Sequence, residues 1–223
     1  MYLYAGRAAV LASDVGYALD LLGVRYVEVD DLDVRAGRLD SPGVFVVPGG
    51  YTSEYVSNLG DRGFENIRRF VGLGGGYLGI CAGAYLAASR VEVPGRPLGL
   101  GIVDVVNRRR KGRGVTEILV LEPRHPVMRG YSGRLRIWYQ NGPYMEVGRG
   151  VKALASYDGG YAAIAASRYE NGYVVLFSPH PEGNREAGVR PEDLGTLGLL
   201  RNAISYATSG ATQRNTKTGS KNS

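Results

Sequence analysis

Residues 74–88 read GGGYLGICAGAYLAA, and this stretch decides how the rest of the chain is ordered. Tyr77, Leu78 and Ile80 make a brief apolar run of strand character, residues 82–88 can wind into a helix, and Cys81 falls on the sharp turn between the two. Gly79 and Gly83 flank it, as a turn this tight requires where no β-carbon fits. The first N–H groups of the following helix are expected to aim at the sulfur and to favour thiolate over thiol. Cys81 is the chain's one cysteine, and a lone cysteine on such an elbow reads as a nucleophile. The plainer reading is a buried structural thiol, because free cysteine is among the most buried residue types. A partner from elsewhere in the chain has to decide.

Toward the N-terminus, MYLYA (residues 1–5) opens as a strand. Ser13 is the expected cap of a helix in which Val15, Ala18, Leu19 and Leu22 recur at i, i+3, i+4 and i+7, and Gly23 stops it. RYVEV (residues 25–29) is a second strand. VFVV (residues 44–47) is an uninterrupted run, as expected of a strand covered on both faces, and it ends at Pro48, Gly49 and Gly50. A helix over residues 61–73 turns Phe64, Ile67 and Val71 inward. The order β-α-β-β-α-β-α with short connections predicts an α/β domain, an open and mostly parallel sheet with helices on both faces. Cys81 then lies at the carboxyl edge of that sheet, where such folds bind ligands.

The second half changes character. Strand-like runs near 99–106, 115–121, 134–139, 151–156, 161–168 and 173–178 predict extra antiparallel strands, with Asn171-Gly172 the strongest hairpin signal. Pro191, at a first helical position, opens a closing helix that carries Leu194, Leu197, Leu200 and Ile204.

At 223 residues and 44% hydrophobic the chain can bury the core of one domain. That domain is expected over residues 1–208, with a disordered basic tail at 209–223, where Arg214, Lys217 and Lys221 stand among polar residues without an acid. One cysteine excludes an internal disulfide framework, no apolar run reaches membrane-spanning length, and Arg7 and Asp14 interrupt the stretch after Met1; a soluble cytoplasmic protein is expected. Of the net charge of +6, a second concentration lies at Arg108, Arg109, Arg110, Lys111 and Arg113, between LGIVDVV and VTEILVLE. It reads as a solvated hairpin loop, and the lack of interleaved stacking aromatics argues against a nucleic-acid surface. Arginine-rich, glutamine-poor and cysteine-poor usage is compatible with a thermophilic source.

The chain has two histidines, His125 and His180, each followed by proline. His180 follows the apolar run YVVLF and so emerges at a strand end, and Glu182 can return its carboxylate to the imidazole because Pro181 stiffens the link. Taken alone, a histidine before proline is as well read as an ordinary loop residue. Together, Cys81, His180 and Glu182 make the set that nucleophilic acyl transfer needs: a thiol, a base that takes and returns its proton, and an acid that fixes the tautomer. No cofactor and no metal is expected, since two distant histidines and one cysteine make no ligand-spaced cluster.

The elbow GICAG, the strand end VVPGG and the late FSPHPEG together resemble class I glutamine amidotransferase-like domains over about residues 1–207. The resemblance implies a flavodoxin-like fold, Cys81 as nucleophile, His180 as base, Glu182 as orienter, and the N–H groups of Gly50 and Ala82 as oxyanion hole. Glutaminase members usually read G-x-C-x-G-x-Q, whereas Tyr85 stands four residues after the cysteine here, so glutamine does not carry over with the motif. GICAGAYLA, PGGYTSEY, HPVMRGY and WYQNGPYM more closely resemble the branch named for the N-terminal domain of biotin-protein ligases, here without a ligase catalytic domain.

WYQNGPYM (residues 138–145) can line a pocket beside Cys81 or be a plain aromatic surface strand and turn. Gly49, Tyr51, Tyr85, Gln140 and Asn141 are the expected substrate-contacting positions, while Thr52, Ser53 and Glu54 fit a helix cap equally well. Two classes stay open. One is a cysteine-dependent amidohydrolase or amidotransferase acting on a small-molecule amide, with an ammonia-accepting or ligase partner protein. The other is a non-catalytic metabolite- or partner-binding module that retains the elbow.

Overall fold

The computed structural model describes residues 1–95 and 97–218, with side chains up to residue 209. Five parallel strands form its centre: β1 (Tyr2–Tyr4), β2 (Val27–Val29), β3 (Val44–Val47), β4 (Gly76–Ile80) and β12 (Gly172–Phe177). They lie in the order β2-β1-β3-β4-β12, and the sheet continues antiparallel through β11 (Ala162–Tyr169), β10 (Lys152–Ser156), β7 (Arg113–Val120) and β8 (Arg134–Gln140). A side ladder of β5 (Ala88–Glu92), β6 (Val103–Arg108) and β9 (Tyr144–Val147) joins this sheet where β9 pairs with β11. The fold is the expected α/β one, a flavodoxin-like sheet with helices and added antiparallel strands.

Strands β3 and β4 are buried along their whole length, which is why they read as unbroken apolar runs rather than alternating ones. One face packs Leu3, Val46, Leu78 and Val175 with Val15, Leu19, Leu199 and Ala203. The other packs Phe45, Val47, Tyr77 and Leu176 with Leu59, Ile67 and Leu86. Each such large side chain removed from water contributes roughly 1.5–3 kcal/mol, so the two layers hold the strand order without help from a disulfide.

Several local expectations shift. Helix α1 (Ala12–Leu21) starts before Ser13, and no side chain caps it. Helix α2 (Asp31–Arg35) was not foreseen; a reciprocal capping box between Asp30 and Asp33 starts it. Helix α3 spans Thr52–Gly72 rather than starting near residue 61, because two helical segments are joined across Gly60, whose positive φ of 56° breaks the ladder between them. After α4 (Ala82–Ala87), the closing helix divides into α5 (Pro191–Leu194) and α6 (Leu197–Thr218), since Gly195 adopts the left-handed conformation that ends a helix. Helix α6 runs through Thr218, into the stretch 209–223 that the sequence marks as a basic tail. A helix already nucleated by packed Leu199, Leu200, Ala203 and Ala207 propagates at little cost per residue. Residues 219–223 lie outside the described residues.

The basic stretch 108–113 is not a hairpin loop, because β6 pairs with β5 and β9 while β7 pairs with β8 and β10. The β11–β12 hairpin turns at Glu170 and Asn171, one residue earlier than the Asn-Gly signal placed it. Gly172 is already a strand residue, and its value is space: a β-carbon there would stand 2.2 Å from the Val71 carbonyl oxygen and 2.3 Å from that of Gly75. We expect Gly172→Ala to destabilise the protein by about 1–3 kcal/mol, read as a lowered Tm. Gly43→Ala, whose β-carbon would find nothing nearer than 3.8 Å, should leave Tm within a degree or two.

Candidate active site

The parallel register of β4 with β12 sets Ile80 opposite Phe177. One residue beyond Ile80, the Cys81 N–H donates to the Phe177 carbonyl at 2.8 Å, and the chain leaving β12 carries His180 to the same edge. Cys81 has φ 51° and ψ −101°, a conformation costing about 1–3 kcal/mol for a side chain with a β-carbon. The flanking glycines supply room rather than unusual dihedrals. A β-carbon on Gly83 would lie 2.1 Å from the Val47 carbonyl oxygen, and one on Gly79 would lie 2.6 Å from the Gly83 carbonyl oxygen. Helix α4 can therefore press onto the ends of β3 and β4 with the sulfur above them.

His180 and Glu182 are fully buried, and Cys81 is 8% exposed. The His180 Nδ1 and Glu182 Oε1 atoms are 2.8 Å apart. On the other side of the ring, the Cys81 Sγ and the His180 Nε2 lie 3.4 and 3.5 Å from one shared atom, the carbonyl oxygen of Gln140. Burial opposes charge on the imidazole, but the Glu182 carboxylate and the sulfur outweigh it and hold His180 well above its ordinary value. His125 goes the opposite way: burial and Lys152 lower it, and its Nδ1 accepts from the Val127 N–H at 3.3 Å, as a neutral ring does. The two histidines are thus separated by environment, and only His180 joins the cysteine. Among the described residues, Glu182 Oε2 has no partner, which leaves the carboxylate's attraction directed at one ring.

A cavity of about 210 Å³ opens over the sulfur. Of the residues singled out in the sequence, Gly50, Tyr51, Cys81, Ala82, Tyr85, Gln140, Asn141 and His180 line it. Gly49 does not. It sits behind the imidazole, where a β-carbon would come within 2.9 Å of His180 Cε1, so the absence of a side chain there gives the ring clearance. Val10 and Leu11, from the turn after β1, complete the wall; nothing in their local pattern sets them apart from core residues. Gln140 arrives because the end of β8 pairs with the segment after β12, the His180 N–H donating to the Trp138 carbonyl at 2.7 Å. Its side chain accepts from Asn184 at 3.1 Å.

Among the described residues, no backbone carbonyl accepts from the N–H of Gly50 or Ala82. Two buried tyrosines hold the backbone on which these groups sit, and sequence reasoning missed both. Tyr55 donates to the Pro48 carbonyl at 3.1 Å, and Tyr77 donates to the Gly83 carbonyl at 2.8 Å. Gly50 is itself locked, since a β-carbon there would meet the Ala8 carbonyl oxygen at 1.9 Å. An inward tyrosine on a strand or helix is indistinguishable in sequence from core filling, and only its hydroxyl partner reveals the difference. No group of three or more His, Cys, Asp or Glu side chains converges as a metal site among the described residues, and no described helix is long and apolar enough to cross a membrane.

The chain resembles known proteins in both sequence and fold. Residues 38–110 match the family described as biotin-protein ligase, N terminal. The pyridoxal 5'-phosphate synthase subunit PdxT of Koribacter versatilis is 36% identical over 140 residues, 61% of this chain and 67% of that protein. The same-named subunit of Methanocorpusculum labreanum is 31% identical over 168 residues, 74% of this chain and 80% of that one. A biotin–protein ligase of Schizosaccharomyces pombe is 32% identical over 76 residues, only 12% of its length. In fold, a glutamine amidotransferase crystal structure superposes with TM-score 0.68 at 22% identity, covering 92% of this chain and 98% of its own. PurLQS from Thermotoga maritima gives 0.69 at 16%, covering 92% and 97%. With its elbow cysteine at the edge of such a sheet and relatives of this identity and coverage, the chain belongs to the class I glutamine amidotransferase-like superfamily.

Proposed function

We propose that the protein is a cysteine-dependent amidohydrolase or amidotransferase that cleaves the C–N bond of a small amide through a Cys81 acyl-enzyme. The observation that carries this reading is that Cys81 and His180 line one cavity and share the Gln140 carbonyl oxygen as a neighbour, while Glu182 holds the far side of the ring. In the reaction His180 takes the thiol proton at Nε2, and Sγ attacks the amide carbon. The oxygen that gains charge is met by the unengaged N–H groups of Gly50 and Ala82, donors fixed before the charge develops. Collapse of the tetrahedral species expels the amine, to which His180 returns the proton. Water, activated by the same ring, then releases the acid from the thioester. Glu182 holds the Nδ1 proton and steadies the imidazolium formed in each half-reaction.

The cavity volume lies below the roughly 300–1,000 Å³ of sites for drug-sized ligands, which favours a substrate of amino-acid size. Tyr85 occupies the wall where glutaminases have glutamine, so the amide need not be that of glutamine. The two PdxT relatives are named as synthase subunits, and delivery of released ammonia to a synthase partner is the corresponding reading for this chain.

Against a panel of small primary amides, ammonia release should depend on Cys81: Cys81→Ala is expected to lower kcat/KM by about 10³-fold or more while leaving the Tm of the protein nearly unchanged. Ligand-induced stabilisation with no Cys81-dependent product would assign the chain to the binding-module class instead.

The elevated His180 has a pH consequence. Its stabilisation is complete below the unfolded histidine value of about 6.5 and is lost as pH rises through the higher folded value. Tm should therefore fall with rising pH above neutrality in the wild type, and this slope should flatten in Glu182→Gln. In NMR of histidine-labelled protein the His180 resonance should titrate above His125 in the wild type, and in the variant it should move down toward it.

A further inference from the structure

The basic run at 108–113 was left without a role by the sequence, and the fold brings it to the rim of the cavity. Asn141, which lines the cavity, donates its N–H to the Gly112 carbonyl at 2.9 Å and accepts the Gly112 N–H on Oδ1 at 3.1 Å. The Arg110 guanidinium is inserted among three tyrosine rings, 4.2 Å from the Tyr139 centroid, 4.4 Å from Tyr157 and 5.0 Å from Tyr144. The Tyr139 hydroxyl donates to the Arg110 carbonyl at 3.0 Å. The middle of the loop is thus bolted down by both its backbone and its side chain.

The five cations of this run are unequally engaged. Arg108 is neutralised by Glu92 and Glu146. Arg110 is spent on the tyrosine box and Arg113 stacks 5.7 Å over Trp138. Arg109 and Lys111 remain, both exposed, and among the described residues neither side chain has an ion pair or hydrogen bond. None of the residues that line the cavity is acidic, and none carries a fixed positive charge. Two unspent cations thus stand within three residues of Gly112, whose backbone is bonded to the cavity-lining Asn141, and the lining holds no acid to offset them.

From this we propose that Arg109 and Lys111 form an anion-recognition subsite at the cavity mouth, so that the ligand reacting at Cys81 carries a negatively charged group outside the cavity. The placement extends the proposed amide chemistry by naming a charge class for the substrate. Its test reads anion selection at the sulfur and needs no turnover.

Because Cys81 is the single cysteine, alkylation can be followed by mass with anionic iodoacetate and neutral iodoacetamide as probes of nearly equal size. The iodoacetate-to-iodoacetamide rate ratio should exceed that of free cysteine at the same pH and low salt. It should fall roughly 3–10-fold in Arg109→Ala/Lys111→Ala, and in the wild type at high ionic strength. Arg25→Ala, at the opposite, β2 side of the sheet, should leave the ratio alone. Succinamate or inorganic phosphate should slow iodoacetate in the wild type, the more effective of the two telling a carboxylate from a phosphate as the preferred anion. A ratio unchanged in the double variant, or no protection by either anion, overturns the subsite while leaving the amidase reading standing. Normal anion selection with no Cys81-dependent amide cleavage overturns the amidase reading alone. A thiol closed to both reagents overturns the subsite together with the open cavity on which it borders.

Discussion

The pairing of β4 with β12 is the constraint on which the site rests. These strands are far apart in the sequence, and their parallel register sets Ile80 beside Phe177. A parallel pair needs its crossover filled and both faces covered, and residues 81–171 lie between these two strands. Once they are paired, the elbow after one and the Pro-His-Pro-Glu turn after the other share an edge with no further adjustment. The buried His180–Glu182 contact then follows from chain geometry rather than from a search by mobile loops.

Tight backbone approaches make this edge rigid. Gly50 rests on the Ala8 carbonyl, Gly83 on Val47 and Gly142 on Ser178, each at a separation that excludes a β-carbon. The hydroxyls of Tyr55 and Tyr77 donate to the buried Pro48 and Gly83 carbonyls. The unfavourable dihedrals of Cys81 persist because so many neighbours over-determine them. In the cavity wall the positive φ of Cys81 is shared by Asn141, at 54°, a residue type that adopts the left-handed region far more readily.

Much of this could be read from the residues, for identifiable reasons. Strand runs such as VFVV are legible because burial on both faces erases alternation, and the glycines around Cys81 are legible because close packing admits nothing larger. Elements governed by tertiary pairing were not: β5 and β9 are short, and the side ladder they form with β6 has no local signal. The basic run looked like a hairpin loop because its two flanking strands are adjacent in sequence, though each pairs elsewhere. Gly49 was placed with ligand contacts from its neighbourhood, whereas its space is taken by the imidazole. Val10, Leu11, Tyr55 and Tyr77 gained their places from partners distant in sequence, which no local period encodes.

One consequence of the β4–β12 register reaches beyond the site. A backbone cut between Cys81 and β12 would divide the sulfur and the imidazole between two fragments, neither of which holds both. Their reassociation would have to rebuild the ladder in its native alignment, because a slip of one residue turns every side chain of β12 to the wrong layer. The molecule is therefore a natural substrate for split-fragment complementation, in which recovered thiol chemistry would count correctly aligned strands and ignore merely adherent ones.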